Sequence, residues 1–174
     1  IAGAERIFTI LDTKPTITNK PDAITLKEET VKGDIVFDHV SFGYEPGKLI
    51  LKDISFTAKQ DEGIAIVGTT GAGKTTIINL LTRFYDINSG SIKVDGIDIR
   101  DITKESLRDQ MGIVLQVPFL FSDTVNYNVS YGWPVATKEE VINASKAANA
   151  HNFITECSEG YATNIGDRGM KLSG

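Results

Sequence analysis

One short segment restricts what this chain can fold into more than any other, and it runs Gly68, Thr69, Thr70, Gly71, Ala72, Gly73, Lys74, Thr75, Thr76. It fits the P-loop pattern, in which a glycine and four further residues precede Gly-Lys-Ser/Thr. Glycines allow the tight turns that point successive backbone N–H groups at an anion. Lys74 can reach the β- and γ-phosphates as a compact positive charge, and the Thr75 hydroxyl can ligate Mg²⁺. The segment therefore predicts a site for a nucleotide's phosphates.

The residues on both sides of this loop suit the same interpretation. The apolar run from Ile64 to Val67 predicts a short, buried parallel strand. Thr76 to Arg83 predict a helix, whose N-terminal dipole adds to the attraction for phosphate. The alternative is a glycine-rich turn that only links a strand to a helix. The order of strand, loop and helix favours phosphate binding over that alternative.

Bulk composition narrows the class of protein. The 174 residues are 41% hydrophobic and 24% charged, which is ordinary for one globular domain. A net charge of −5 and a pI near 5.1 argue against a nucleic-acid partner held through its phosphate backbone. The single cysteine, Cys157, excludes an internal disulfide and makes a reducing compartment the default. No apolar run in the sequence is long enough to cross a bilayer.

Before the loop, the chain predicts a helix, a linker and antiparallel strands. Ala2 to Leu11 carry apolar residues at helical spacing, and residues 12–32 are irregular and polar. Short strands are predicted in three places, at 35–37, 40–42 and 49–56. Tyr44 stands just before a Glu-Pro-Gly turn, where an exposed aromatic ring can stack on a nucleotide base. For this residue alone, a packed turn tyrosine is an equally good interpretation.

After the loop helix, a second candidate site residue appears. Asp95 and Gly96 predict a β-hairpin. The apolar run at 112–115 then predicts another buried parallel strand, which ends at Gln116. Ligands collect at the carboxyl ends of the strands in an open α/β sheet. Gln116 is therefore a candidate for the same site as the loop.

The rest of the chain predicts three helices. The first follows a cap at Ser122 or Asp123, and the second begins at the capping box Thr137-Lys138-Glu139-Glu140. The third begins near His151. His39 and His151 stand alone, without the spacing of metal ligands, and are interpreted as structural. Together the patterns predict an α/β, P-loop NTPase-like fold. It combines a mixed sheet with an antiparallel β subdomain and an α-helical subdomain.

Several further segments follow a recognisable order, namely Glu5–Phe8 with Leu11-Asp12, Val40–Tyr44, 68–75, 112–116 with 120–124, 166–169, and Leu172-Ser173-Gly174. In this order they closely resemble the nucleotide-binding domain of an ABC transporter of the exporter type. Residues 5–8 and 11–12 resemble the exit from the last membrane helix, and Val40–Tyr44 resembles the adenine-stacking segment. Residues 68–75 resemble the Walker A loop, and residues 112–116 with 120–124 resemble the Q-loop region. Residues 166–169 resemble the X-loop, and 172–174 resemble the start of the Leu-Ser-Gly-Gly-Gln signature. The resemblance extends from Ala4 to Gly174.

The resemblance implies three parts, which are the end of a membrane-domain helix with a linker at 1–33, the nucleotide-binding core at 34–115, and the Q-loop with a helical subdomain at 116–174. It implies that residues 68–76 and Tyr44 bind ATP. It also implies that Lys74 and Gln116 act in catalysis and that Thr75 and Gln116 ligate Mg²⁺.

The resemblance also implies partners and a location. Ser173 and Gly174 are expected to complete the phosphate site of a second nucleotide-binding domain in a head-to-tail dimer. A transmembrane domain of the same transporter is the other expected partner, at the cytoplasmic face of the membrane. Hydrolysis of ATP then drives export. The family's Walker B aspartate, catalytic glutamate and switch histidine fall after Gly174, so the domain is expected to be incomplete at its C-terminus. These residues alone are expected to bind ATP–Mg²⁺ without hydrolysing it.

The sequence departs from the family pattern at a few positions. Asp167 and Tyr127 stand where exporters usually have glutamate, and Gln60-Asp61 replaces a Pro-Gly turn. The Asp167 departure bears on contacts with a coupling helix and not on nucleotide binding. Two alternatives to an exporter domain also remain. One alternative is another P-loop enzyme, such as a nucleotide kinase or a GTPase, and an Asn-Lys-x-Asp guanine-reading motif would indicate the latter. The other is an ATP-dependent scaffold without hydrolysis, such as a degenerate transporter site or a soluble ABC protein.

Overall fold

A computed structural model describes residues 2–117 and 119–166, and the chain divides into two compact units between Ile113 and Val114. The first unit contains helices α1 (Ala2–Leu11), α2 (Lys74–Leu81) and α3 (Lys104–Asp109) with strands β1 (Ile35–Phe42), β2 (Leu51–Ala58), β3 (Ser89–Val94) and β4 (Ile97–Asp98). The second contains helices α4 (Val125–Ser130), α5 (Lys138–Ala147) and α6 (His151–Glu156). No described helix is both long and apolar enough to span a membrane.

The four strands form an antiparallel sheet in the order β2-β1-β3-β4. The two short strands predicted around 35–42 are one strand, β1, whose pairing with β2 shifts register between Phe37 and Val40. His39 lies at this irregularity with a positive φ of 49°. The hairpin between β3 and β4 turns at Asp95 and Gly96, both at positive φ, which confirms the prediction made from that dipeptide.

One face of the sheet packs against helix α2 and the segments that follow β4. The core consists of buried apolar residues from all of these elements, namely Phe37, Val40, Phe42, Leu51, Ile77, Leu80, Ile92, Val94, Ile99, Ile102 and Leu107. Phe37 and Phe56 stack across paired strands with ring centroids 4.5 Å apart. This core holds α2, and with it the end of the P-loop, against β1 and β2.

Two predicted parallel strands are not formed in the described structure. Residues 64–67 and 112–115 have no strand pairing, and Val67 and Val114 are 91% and 98% exposed. A parallel strand is stable when neighbouring strands satisfy its backbone and both faces of the sheet are covered. No other described segment pairs with either run. The predictions of strands at these positions were therefore wrong, whereas the α/β class, the antiparallel β part and the helical part are confirmed.

The linker is irregular, as predicted, but it is held in place. The Asp95 carboxylate accepts hydrogen bonds from the backbone N–H groups of Lys32, Gly33 and Asp34 at distances from 2.8 to 3.4 Å. Burial alone raises the pKa of Asp95, but these hydrogen bonds outweigh it and hold the pKa below its ordinary value. One turn residue therefore fastens the end of the linker to the β3–β4 hairpin.

In the second unit, α4 and α6 contribute Val125 and Ile154 to a small core that also contains Ile165. The Thr137 capping box at the start of α5 is confirmed, because Thr137 accepts from the Glu140 N–H and Glu140 accepts from the Thr137 N–H. The predicted cap of α4 at Ser122 or Asp123 is wrong. The Thr124 hydroxyl caps this helix and accepts from the Tyr127 N–H at 3.1 Å.

Candidate nucleotide-binding site

The loop between residues 68 and 74 turns at glycines in the left-handed region. Gly71 and Gly73 have φ of 85° and 91°, and Gly73 is the residue immediately before α2. A Cβ atom on Gly73 would lie 2.7 Å from the Leu51 Cδ2 atom, which is closer than carbon atoms approach. The φ of Gly73 therefore favours glycine, and a Cβ atom there would also displace the buried Leu51 side chain.

Backbone donors are left free at the start of α2. Within the described part of the chain, the N–H groups of Gly71, Gly73, Lys74 and Thr75 have no hydrogen-bond acceptor. The first N–H groups of any helix lack partners in the helix, and the helix dipole adds partial positive charge there. These amides form a donor set that suits an anion.

Lys74 spans the loop with its side chain. Its Nζ atom donates to the carbonyl oxygens of Gly68 at 2.7 Å and Thr69 at 2.8 Å. An ammonium group has three N–H donors, so one remains for a ligand. The Ala72 N–H donates to the same Thr69 oxygen at 3.1 Å, which closes the loop further. Thr69, Thr70 and Thr75 are exposed beside it.

The donor set fits the phosphates of a nucleotide, and the protein offers few oxygen ligands for a magnesium ion beside them. The free amides and the Lys74 ammonium can only donate, as an anion requires, and the carbonyl oxygens of Gly68 and Thr69 already accept from Lys74. The exposed Thr75 hydroxyl offers the kind of oxygen that Mg²⁺ prefers. The described residues contain no group of three or more His, Cys, Asp or Glu side chains able to hold a metal. A magnesium ion here would take most of its ligands from phosphate and water.

Tyr44 is a packed turn residue that is still partly exposed, so stacking on a nucleotide base stays a prediction. Its ring packs edge-on against Phe42 and Tyr85, and 45% of the residue remains exposed. Its hydroxyl lies 3.3 Å from the Thr76 Oγ1 atom, and it accepts from the Asn79 side-chain amide at 3.2 Å. The structure therefore brings Tyr44 to the same helix that carries the loop lysine.

The other predicted site residues lie in the second unit or outside the described residues. Gln116 lies in the second unit with an exposed side chain. Ser173, Gly174 and most of the 166–169 segment lie outside the described residues. Tyr85 and Asn79 were not predicted. Asn79 was detectable, because it stands three positions after Thr76 and shares its helix face. Tyr85 has no local signal.

The tetrapeptide Asn19-Lys20-Pro21-Asp22 does carry the letters of the GTPase motif, but its side chains are engaged elsewhere. The Asn19 amide nitrogen donates to Glu105 at 2.7 Å, and its amide oxygen accepts from the Lys104 N–H at 2.9 Å. Lys20 forms an ion pair with Asp101. Both polar atoms of Asn19 thus hold the linker to α3. The tetrapeptide gives no support to a guanine site.

The chain is similar in sequence to a known family and to several known proteins. The model of the family described as ABC transporter matches residues 51–174. A heavy metal tolerance protein of Schizosaccharomyces pombe is 47% identical over 174 residues, which are 100% of this chain and 21% of that protein. An ATP-dependent lipid A-core flippase of Syntrophus aciditrophicus is 46% identical over 174 residues, which are 100% of this chain and 28% of that protein.

A solved structure gives the same result. The structure of a bacterial Atm1-family ABC exporter with ATP bound matches this chain with a TM-score of 0.86 and 42% sequence identity. The match covers 98% of this chain and 30% of that one. The chain therefore spans less than a third of each of these three relatives.

Proposed function

The chain belongs to the ABC transporter family, and on that premise we propose that it is the ATP-binding part of an exporter that couples ATP hydrolysis to transport across a membrane. The observation that carries the proposal is the loop at 68–75, where backbone amides that have no acceptor among the described residues lie beside the Lys74 ammonium, in a family that binds nucleotide. The match to an exporter solved with ATP bound supports the same site.

In the proposed site, the chain's own residues bind and orient the triphosphate. The free amides of the loop and the remaining N–H of Lys74 bind phosphate oxygens. Thr75 and Gln116 are the proposed magnesium ligands, and Tyr44 is the proposed platform for the base. When bound, Mg²⁺ neutralises charge on the phosphates, and transfer of the phosphoryl group to water then depends on positioning and electrostatics.

The remaining parts of the proposal concern partners. We propose that two such domains close head-to-tail, so that Ser173 and Gly174 of one complete the phosphate site of the other. A transmembrane domain of the same transporter is the proposed mechanical partner, which puts this domain at the cytoplasmic face of the membrane. The family's water-orienting glutamate is not among these 174 residues, so we propose that they bind ATP–Mg²⁺ without turning it over.

Calorimetry and phosphate release on the full-length protein test this proposal. We expect saturable binding of ATP with Mg²⁺, competition by inorganic tripolyphosphate, and release of phosphate from ATP. A Gln116→Ala variant is expected to keep nucleotide binding and to lose most of the turnover. Binding of ATP that tripolyphosphate does not reduce would place the nucleotide away from the loop and overturn the assignment.

A further inference from the structure

Tyr44, Phe42 and Tyr85 form a triangle of aromatic rings beside α2. The Tyr44 ring meets Tyr85 at 4.9 Å and 79° and Phe42 at 5.0 Å and 86°, and both are edge-to-face contacts. Phe42 and Tyr85 close the triangle with centroids 5.7 Å apart. Edge-to-face pairs are favourable arrangements of the ring quadrupoles, so the two neighbours hold the plane of the Tyr44 ring.

The other end of the Tyr44 side chain is also held. Its hydroxyl is within hydrogen-bond distance of the Thr76 hydroxyl and the Asn79 amide, both on α2. Thr76 is 5% exposed and directly follows Thr75. The ring orientation is therefore set by two aromatic contacts and its distance from the loop helix by two polar ones.

We propose that Tyr85 is a positioning residue for the nucleotide base, because it fixes the Tyr44 ring before a ligand arrives. The inference rests on the proposed function. A side chain that is already ordered loses less conformational freedom on binding than a free one does, so pre-organisation raises affinity. Tyr85 acts through Tyr44 and not on the phosphates. Its effect must therefore appear with a nucleotide and be absent with a ligand that has no base.

A comparison of ATP with inorganic tripolyphosphate separates binding of the base from binding of the phosphates. Each ligand is titrated, with Mg²⁺, into the full-length protein in a calorimeter. The energy of one aromatic pair, about 0.5–1.5 kcal/mol, limits what the ordering of Tyr44 by Tyr85 can contribute, and it corresponds to at most about a two- to tenfold weaker affinity. We expect Tyr85→Ala to weaken ATP binding by up to that factor and to leave tripolyphosphate binding unchanged. Tyr85→Phe is expected to restore the wild-type affinity, because the Tyr85 hydroxyl makes no hydrogen bond within the described residues.

A double-mutant cycle shows whether Tyr85 acts through Tyr44. We expect Tyr44→Ala to weaken ATP binding by roughly five- to 150-fold, the range that stacking of one base corresponds to. Adding Tyr85→Ala to that variant should cause no further loss, since there is no ring left to hold. Tyr85→Leu, which keeps apolar bulk against Phe42, is the second variant if the alanine variant does not fold.

The outcomes distinguish the inference from its premise. If the wild type binds ATP and the Tyr85 variants bind it equally well, the positioning role is wrong and the nucleotide site stands. Equal losses for ATP and tripolyphosphate, or additive losses in the double variant, would show a general structural role for Tyr85 and overturn the inference. If the wild type binds neither ligand, the proposed function falls and the inference falls with it.

Discussion

The Lys74 ammonium lies 2.7 Å from the carbonyl oxygen of Gly68, six positions earlier in the chain. The Lys74 side chain therefore folds back and bridges the start of the loop to its end. A second carbonyl, that of Thr69, shares the ammonium at 2.8 Å. With two N–H groups directed at the backbone and one left over, Lys74 both braces the loop and offers a charge to an anion.

Replacing Lys74 by alanine should therefore weaken phosphate binding strongly. A hydrogen bond to a charged group contributes about 1.5–3 kcal/mol, so the affinity for ATP with Mg²⁺ should fall roughly tenfold to a hundredfold in a calorimetric titration. Lys59→Ala is the matched control, because it removes the same charge from an exposed position after β2. Equal losses in both variants would indicate net charge as the cause and contradict a specific contact.

Gly73→Ala should destabilise the fold through both backbone strain and a steric clash. The left-handed conformation costs about 1–2 kcal/mol for a residue with a Cβ, and overpacking against Leu51 adds about 1–3 kcal/mol. Gly47→Ala isolates the first contribution, since Gly47 has a φ of 79° and open space around its Cβ position. Urea unfolding should show the larger loss at Gly73. Similar losses of unfolding free energy at both glycines would mean that the Leu51 side chain moves aside and would contradict the clash.

Arg83 links the end of α2 to the segment after β4, and its loss should destabilise the first unit. The residue is 3% exposed; its guanidinium binds Asp86 at 2.9 Å and reaches the carbonyl oxygens of Ile99 and Ile102 at 3.3 Å. Arg83→Met keeps the bulk but removes the donor from the buried Ile102 carbonyl oxygen and the second donor from that of Ile99, so unfolding free energy should fall by about 2–3 kcal/mol. Arg100→Met, at a partly exposed ion pair, should cost about 1 kcal/mol or less. Comparable losses for the two would argue against the buried network.

The His39–Asp53 pair should make stability depend weakly on pH. Its hydrogen bond to Asp53, followed by the charges of Asp53 and Asp38, raises the pKa of His39 above the ordinary 6.5. A raised pKa in the folded state stabilises the fold below pH 6.5, and this contribution disappears as the pH rises through the folded pKa. The free energy of unfolding of the wild type and of Asp53→Asn should be measured with a chemical denaturant between about pH 5.5 and pH 8.5, which covers the titration of a histidine. The wild type should be the more stable of the two at low pH, and this difference in unfolding free energy should shrink as the pH rises.

The matched control for that experiment is Asp61→Asn. Asp61 is also an exposed aspartate in the left-handed region, with a φ of 61° against 55° for Asp53. Asparagine tolerates this conformation as well as aspartate does, so backbone effects cancel between the two variants. If the difference in unfolding free energy between the wild type and Asp53→Asn stays constant with pH, the charge pair does not cause it.

Patterns that act within a few residues were predictable because their hydrogen bonds close locally. The P-loop glycines, the Asp95-Gly96 turn and the Thr137 capping box belong to this class, and each sits where its residues indicated. The position of Tyr44 beside α2 was not predictable in the same way. It depends on Tyr85 and Asn79, which lie 41 and 35 positions away in the sequence.

The sequence by itself determined the local chemistry of this protein, namely a donor-rich loop at the start of a helix and the glycines that allow it to turn. The tertiary structure alone decided which apolar runs become strands and which side chains remain free for a ligand. Residues 64–67 and 112–115 have the composition of buried strands, yet strand pairing needs a partner backbone that no local pattern supplies. Likewise, Asn19 has the letters of a base-reading motif, but its contacts with α3 occupy both of its polar atoms.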